Sequence, residues 1–213
     1  MTTTTFTRFV LGIARSSIFQ NLATLVAAGA VACLMGCSAM QAQNPSGALK
    51  PVNAHVVDGA SHVMLKGHDV VAYFTQNKHA IGDAKFASVY EGVNFHFASA
   101  EHKALFDKEP TKYLPQYGGY CANGIVYGIP WGGDADSWRM IDGKLYIFGG
   151  AGSRDGFLLD VPANIALANK YWKEEVAGNN SFWQRTKRLT FRVPHYKSGK
   201  DLADLVAAKK AKG

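Results

Sequence analysis

The stretch Val89-Tyr90-Glu91-Gly92-Val93-Asn94-Phe95-His96-Phe97-Ala98-Ser99 decides the fold class. Apolar and polar residues alternate around Glu91-Gly92, and this period of two predicts a β-hairpin spanning Phe86 to Phe97. The alternation puts Val93, Phe95 and Phe97 on a buried face, and Asn94 and His96 on the opposite, solvated one. Ser99 then reads as a helix N-cap, with Glu101 suiting the positive end of the helix that follows. Leu105 and Phe106 supply the apolar face of that helix, and Pro110 ends or restarts it.

The same reading extends outward. Val70, Val71, Tyr73 and Phe74 suggest a short strand after Gly67-His68-Asp69. Gly118-Gly119 punctuates the chain before Tyr120-Cys121-Ala122, another helical turn. Trp138 to Phe148 forms a second hairpin, with Asp142-Gly143 as a type I′ turn dipeptide. Leu158 to Trp172 is helical in pattern, broken or started at Pro162. Strands interleaved with short helices give a small α+β domain of β-hairpins and short helices, opening near Ser61 and spanning 61–175.

With 213 residues, the chain holds one well-buried domain plus appendages. Its net charge of +7 is unevenly spread: residues 1–36 carry +2, residues 37–175 carry −2, and residues 176–213 carry +7. The basic character therefore belongs to a C-terminal tail and not to a binding face, which argues against nucleic acid as a partner. In that tail, Phe182-Trp183-Gln184-Arg185 mixes aromatic and basic residues, and 201–213 has the pattern of a modest helix. Two readings stand for it: a solvated, frayed tail, or an arm lying on anionic headgroups, where each cation contributes about 1 kcal/mol.

Arg8 and Arg15 precede an uncharged apolar run of fourteen residues, Leu22 to Met35. That is too short to span a bilayer and suits a signal-peptide core, so residues 1–36 read as a signal peptide. Its end, Leu34-Met35-Gly36-Cys37, resembles a bacterial lipobox, which implies cleavage before Cys37 and lipid on that cysteine, a membrane anchor of the palmitate-bearing kind. Ser38 resembles the sorting pattern of outer-membrane lipoproteins and implies the periplasmic side of that membrane in a Gram-negative bacterium. Residues 37–60 read as a flexible polar tether. Cys33 leaves with the signal peptide and Cys37 is lipidated, so Cys121 is the only free thiol of the exported chain.

Gly67-His68-Asp69-Val70-Val71-Ala72-Tyr73-Phe74 resembles the opening of YHS-domain proteins in their longer, exported form. The likeness continues through Phe95 to Ser99, Phe106 through Pro110 to Tyr113, and most specifically Pro115-Gln116-Tyr117-Gly118-Gly119-Tyr120-Cys121-Ala122. It runs on through Trp138, Asp142 to Tyr146, and a helix ending at Tyr171-Trp172, covering about half the chain, roughly Val63 to Lys173. Short members of the family accompany copper-transporting ATPases and look like metal-binding modules built on cysteines. Their helix start reads F-C-S-x-x-C, whereas here Ala98 replaces the first cysteine and His102 the second. The early cysteine of the short form is also absent, with the segment around His68-Asp69 in its place. The resemblance thus implies a mixed site and not a thiolate cage.

Cys121 and His102 are the leading candidate ligands, with His68 and Asp69 completing the shell. A thiolate with an imidazole suits copper or zinc, and a helix start favours both a thiolate and an uncharged ring. Each residue also has a plainer reading. His102 is a capping or core-bonded histidine, Cys121 a small buried residue, His68 a turn residue, and Asp69 a backbone-bonded turn carboxylate. No Gly-rich phosphate loop, H-E-x-x-H or G-x-S-x-G motif is present, and a Cys121–His102 nucleophilic pair lacks a third orienting residue, so the sequence reads as a non-enzyme. Three functions follow as expectations: a membrane-tethered copper-type binding module, a structural or interaction domain that has lost metal binding, or a small-molecule binder using Tyr117, Tyr120, Tyr127 and Trp131. The sequence names no protein partner.

Overall fold

The computed structural model describes residues 51–212; the expected signal peptide, Cys37 and most of the tether lie outside them. The chain runs β1 (Ala54–Val57), β2 (Ala60–Met64), α1 (Ala72–Thr75), β3 (Asp83–Tyr90), β4 (Val93–Phe97), α2 (Ala100–Lys108), α3 (Pro110–Tyr113), α4 (Ala122–Ile125), β5 (Asp134–Ile141), β6 (Lys144–Phe148), α5 (Ala151–Phe157), α6 (Val161–Tyr171), α7 (Ser181–Thr190) and α8 (Gly199–Lys210). The architecture is mixed α and β, with a four-stranded sheet ordered β1-β2-β4-β3 and a two-stranded sheet β5-β6, compatible with the α+β class. No described helix is long and apolar enough to cross a membrane.

Two-residue turns set the hairpins. Glu91 and Gly92 both lie at positive φ, as do Asp142 and Gly143, and as do Asp58 and Gly59 between β1 and β2. Positive φ at both central residues gives the twist that neighbouring antiparallel strands need. The β3–β4 register runs from Tyr90 opposite Val93 to Ser88 opposite Phe95. The β5–β6 register runs from Ile141 opposite Lys144 to Trp138 opposite Ile147. Strands β2 and β4 pair in parallel, Val63 beside Asn94, and join the first hairpin to the second.

Strand β6 separates two hydrophobic cores. Leu145 and Ile147 face a core built with the four-stranded sheet, including Val93, Phe95, Phe97 and Phe106. Tyr146 and Phe148 face a helical core that includes Tyr120, Ile125, Phe157, Ala168 and Val193. In the sheet core Phe106 lies against Phe95 and Phe97, ring centroids 4.6 and 5.1 Å away. Side chains at successive strand positions point to opposite faces, so a strand buried on both reads as continuous apolar sequence.

Several expectations are corrected. The strand expected at Val70 to Phe74 is a single helical turn, because the Asp69 carboxylate accepts the backbone N–H of Val71 and Ala72 and caps it. Leu105 does not share Phe106's burial and is 39% exposed. His96, expected in solvent, is only 6% exposed. The reason is the close approach of two glycines: a Cβ at Gly82 would lie 2.5 Å from the His96 carbonyl carbon, and one at Gly67 would lie 3.3 Å from its Nδ1.

The tether ends before residue 60. Val52, Asn53 and Ala54 are buried, and β1 and β2 belong to the sheet. Asn53 fixes this segment, donating from Nδ2 to the carbonyls of Gly119 and Gly133, both at 3.0 Å. Residues 176–213 are likewise not a frayed tail, since they form α7 and α8 and contribute Val176, Val193 and Leu202 to the interior. Part of the tail's charge is used internally. Arg185 is buried and donates to the Pro130 carbonyl at 2.7 Å, and Arg188 pairs with Glu175.

Candidate functional site

Asp69 and His102 come together where α1, the end of β4 and the start of α2 meet. The Ser99 hydroxyl accepts the His102 backbone N–H at 3.2 Å, the N-cap expected from the sequence. This holds the His102 ring toward Asp69, whose Oδ2 accepts from Nδ1 at 2.6 Å. The Nδ1–H tautomer this requires leaves the Nε2 lone pair facing Gln76 Nε2 at 3.3 Å and Thr75 Oγ1 at 3.2 Å. Asp69 is fully buried, and its two oxygens receive four donors in all: Val71 N, Ala72 N, Ala98 N and His102 Nδ1. Chemically this is a carboxylate used as a three-way clamp, with the histidine as one arm. The turn reading of Asp69 and the core-bonded reading of His102 both describe this arrangement.

His68 stands apart from that clamp although it precedes Asp69. Its Nδ1–H donates to the Leu65 carbonyl at 2.9 Å, and its ring lies 6.1 Å from that of His79. His79 is exposed and was not singled out from the sequence.

Cys121 sits in the helical core, 1% exposed. Its backbone N–H donates to the Trp131 carbonyl at 2.9 Å, and it pairs in parallel with Ile147 of β6. Its Sγ lies 3.1 Å from Ser153 Oγ, at the first turns of α5. The hydrogen-bond partners of Cys121 and those of His102 are different residues on different elements. Among the described residues, no group of three His, Cys, Asp or Glu side chains could hold a metal ion.

The two candidate ligand-binding tyrosines are structural. Tyr117 adopts positive φ within a tight turn, and its hydroxyl donates to Asn169 Oδ1 at 2.9 Å. Its ring meets Tyr146 and Trp172 at centroid distances of 5.9 and 5.7 Å. Tyr120 is fully buried, and burial pushes its hydroxyl pKa up to about 12. Gly118 beside them admits no side chain, since a Cβ there would lie 2.5 Å from the Pro51 carbonyl oxygen.

Sequence reading missed Asn53, Asn123 and the Glu175–Arg188 pair. Asn123 lies in a stretch, Gly119 to Pro130, in which every residue is buried. The available signal was the absence of any charged residue between Lys112 and Asp134. Compared with protein-family models, with curated proteins and with solved structures, the chain gave no match in any of the three.

Proposed function

We propose that this chain is a lipid-anchored envelope protein, held through Cys37 at the periplasmic face of the outer membrane, whose YHS-like domain is a non-catalytic interaction module. The observation that carries this choice over a copper carrier is the Asp69–His102 clamp. A carboxylate on Nδ1 would also suit a metal-binding imidazole, so the deciding feature is Nε2, which faces Gln76 and Thr75, while both Asp69 oxygens are taken up by donors of the fold. Burial of Cys121 beside Ser153 supports the same reading. The signal-peptide pattern and the lipobox support the anchoring.

Exposed Trp183, Leu189 and Phe191, with Lys187 and Arg192 nearby in sequence, support contact of α7 and the turn after it with an anionic headgroup surface.

Two measurements test the proposal. Cys37→Ala should leave an uncleaved precursor without acyl label; normal processing would overturn the anchor. Cu(I) or Zn(II) should leave the melting temperature of the protein unchanged, and a stoichiometric rise abolished by both Cys121→Ser and His102→Ala would overturn the loss of metal binding.

One observation favours a second reading, a transition-metal contact at His68. Donation of Nδ1–H to the Leu65 carbonyl is the outer-shell arrangement that orients a metal-binding imidazole through Nε2, and His79 is its ring neighbour. A zinc-dependent rise in melting temperature lost in His68→Ala but kept in Cys121→Ser would select it.

A further inference from the structure

The segment expected to be a tail forms one wall of a cavity. About 340 Å³ in volume, it lies between α4, α5, α6 and α8, and its wall is largely aliphatic, with Val126, Leu159, Leu167, Leu202 and Leu205. Helix α8 closes one side by docking Leu202 against Gly156, where a Cβ would come within 3.0 Å of the leucine side chain. A concave, mostly apolar space of this size with few polar groups is the usual form of a small-molecule site.

The polar groups around it are not alike. Asp160 caps α6 by accepting from the Ala163 N–H at 3.2 Å, Asn164 Nδ2 donates to the Phe157 carbonyl at 2.9 Å, and His195 Nε2–H donates to the Val126 carbonyl at 2.9 Å. Asn123 differs from all three. It is only 4% exposed, it lines the cavity, and its side-chain amide has no hydrogen-bond partner among the described residues. Its amide opens onto the cavity, where it offers a donor pair and an acceptor side by side to an occupant.

We infer that this cavity is a binding site for a small neutral molecule with an apolar body and one amide-like head, which pairs with the Asn123 side chain. Neutrality follows from the lining. The anchor carries no charge, and the flanking charges of Asp160 and Lys197 are of opposite sign, so an ion would be desolvated without a matching partner. The cavity uses none of the residues on which the envelope-anchor proposal rests, so the two stand or fall separately.

The test is titration of the full-length chain with 4-tert-butylbenzamide, followed by amide NMR. Saturable shifts of the Asn123 side-chain amide and of α8 resonances are expected, with a dissociation constant of about 1 mM or tighter. Asn123→Leu should weaken binding at least tenfold. Ala163→Trp, at an exposed position on the cavity wall, should abolish it by filling the space without touching the interior. The corresponding benzoate should bind at least tenfold more weakly than the amide. Absence of saturable shifts, equal affinity in Asn123→Leu or Ala163→Trp, or equal or tighter binding of the benzoate would each overturn the inference.

Discussion

The two cores on either side of β6 are built differently. The sheet core is made by regular alternation: Val93, Phe95 and Phe97 from one strand, Leu145 and Ile147 from another, and Phe106 from a capped helix laid across them. Its buried polar side chains include a satisfied clamp, Asp69 with His102, and Asn53, bonded to two backbone carbonyls. The helical core is made from the irregular run Tyr117 to Ile129 and from helices that return late in the chain. It holds an unpartnered amide, Asn123, beside an open cavity. Closely packed, polar-satisfied regions resist change, while space and unmet polar groups are where a protein meets other molecules. The contrast teaches that the side holding the Asp69–His102 pair is the braced side, and the side holding the aliphatic cavity is the other.

The strongest way to break this contrast is Asp69→Ala. It strips a buried acceptor from four donors at once and should cost about 3–5 kcal/mol in urea unfolding, since each buried donor left unmet costs about 1–3 kcal/mol. A loss below about 1 kcal/mol would mean that packing alone orders the sheet side.

Gly156→Ala probes the helical side. The added methyl would meet Leu202 at 3.0 Å, so α8 should be pushed outward at a cost of about 1–3 kcal/mol. Hydrogen exchange should accelerate in 199–210 and leave the β3–β4 amides unchanged. Equal acceleration in both would show that the two cores open as one unit.

The smallest expected effect is at Glu175. Burial alone would raise its pKa, but hydrogen bonds from Arg188 and Gln184, with Lys187 nearby, hold the carboxyl below the usual range. A depressed folded pKa adds stability above the unfolded value, about 4.3, and that stability is lost as pH falls through the folded value. Glu175→Gln should therefore cost about 1–2 kcal/mol at neutral pH and progressively less below about pH 4, measured by thermal unfolding across that window.

What the sequence disclosed follows the same division. Both hairpins, their turn dipeptides, the Ser99 cap and the helix started at Pro162 are local features, and period, turn chemistry and capping are written within a few residues. The candidate site was half legible. Asp69 and His102 do meet, but nothing in their spacing distinguishes a clamp from a ligand pair, because the deciding partners are backbone N–H groups of Val71, Ala72 and Ala98. His96 was misplaced because strand alternation knows only its own strand, whereas Gly67 and Gly82 arrive from elsewhere to cover it. Asn53 and the C-terminal helices were misplaced because polar, basic sequence reads as solvated, while Asn53 Nδ2, Gln184 and Arg185 bond to backbone carbonyls far away in the chain. Non-local hydrogen bonding leaves no period to read.

The strand with two buried faces bears on the order in which the protein is made. Leu145 and Ile147 meet neighbours drawn from residues 52–113, all synthesised before them. Tyr146 and Phe148 share their side of the strand with the run Tyr117 to Ile129, made before them, and with Phe157, Ala168, Tyr171, Val176 and Val193, all synthesised after. A nascent chain emerging N-terminus first therefore carries a ribbon fully covered on one side and only half covered on the other until nearly its whole length is out, and throughout that interval the incompletely covered aromatic side is the surface a holding chaperone would grip.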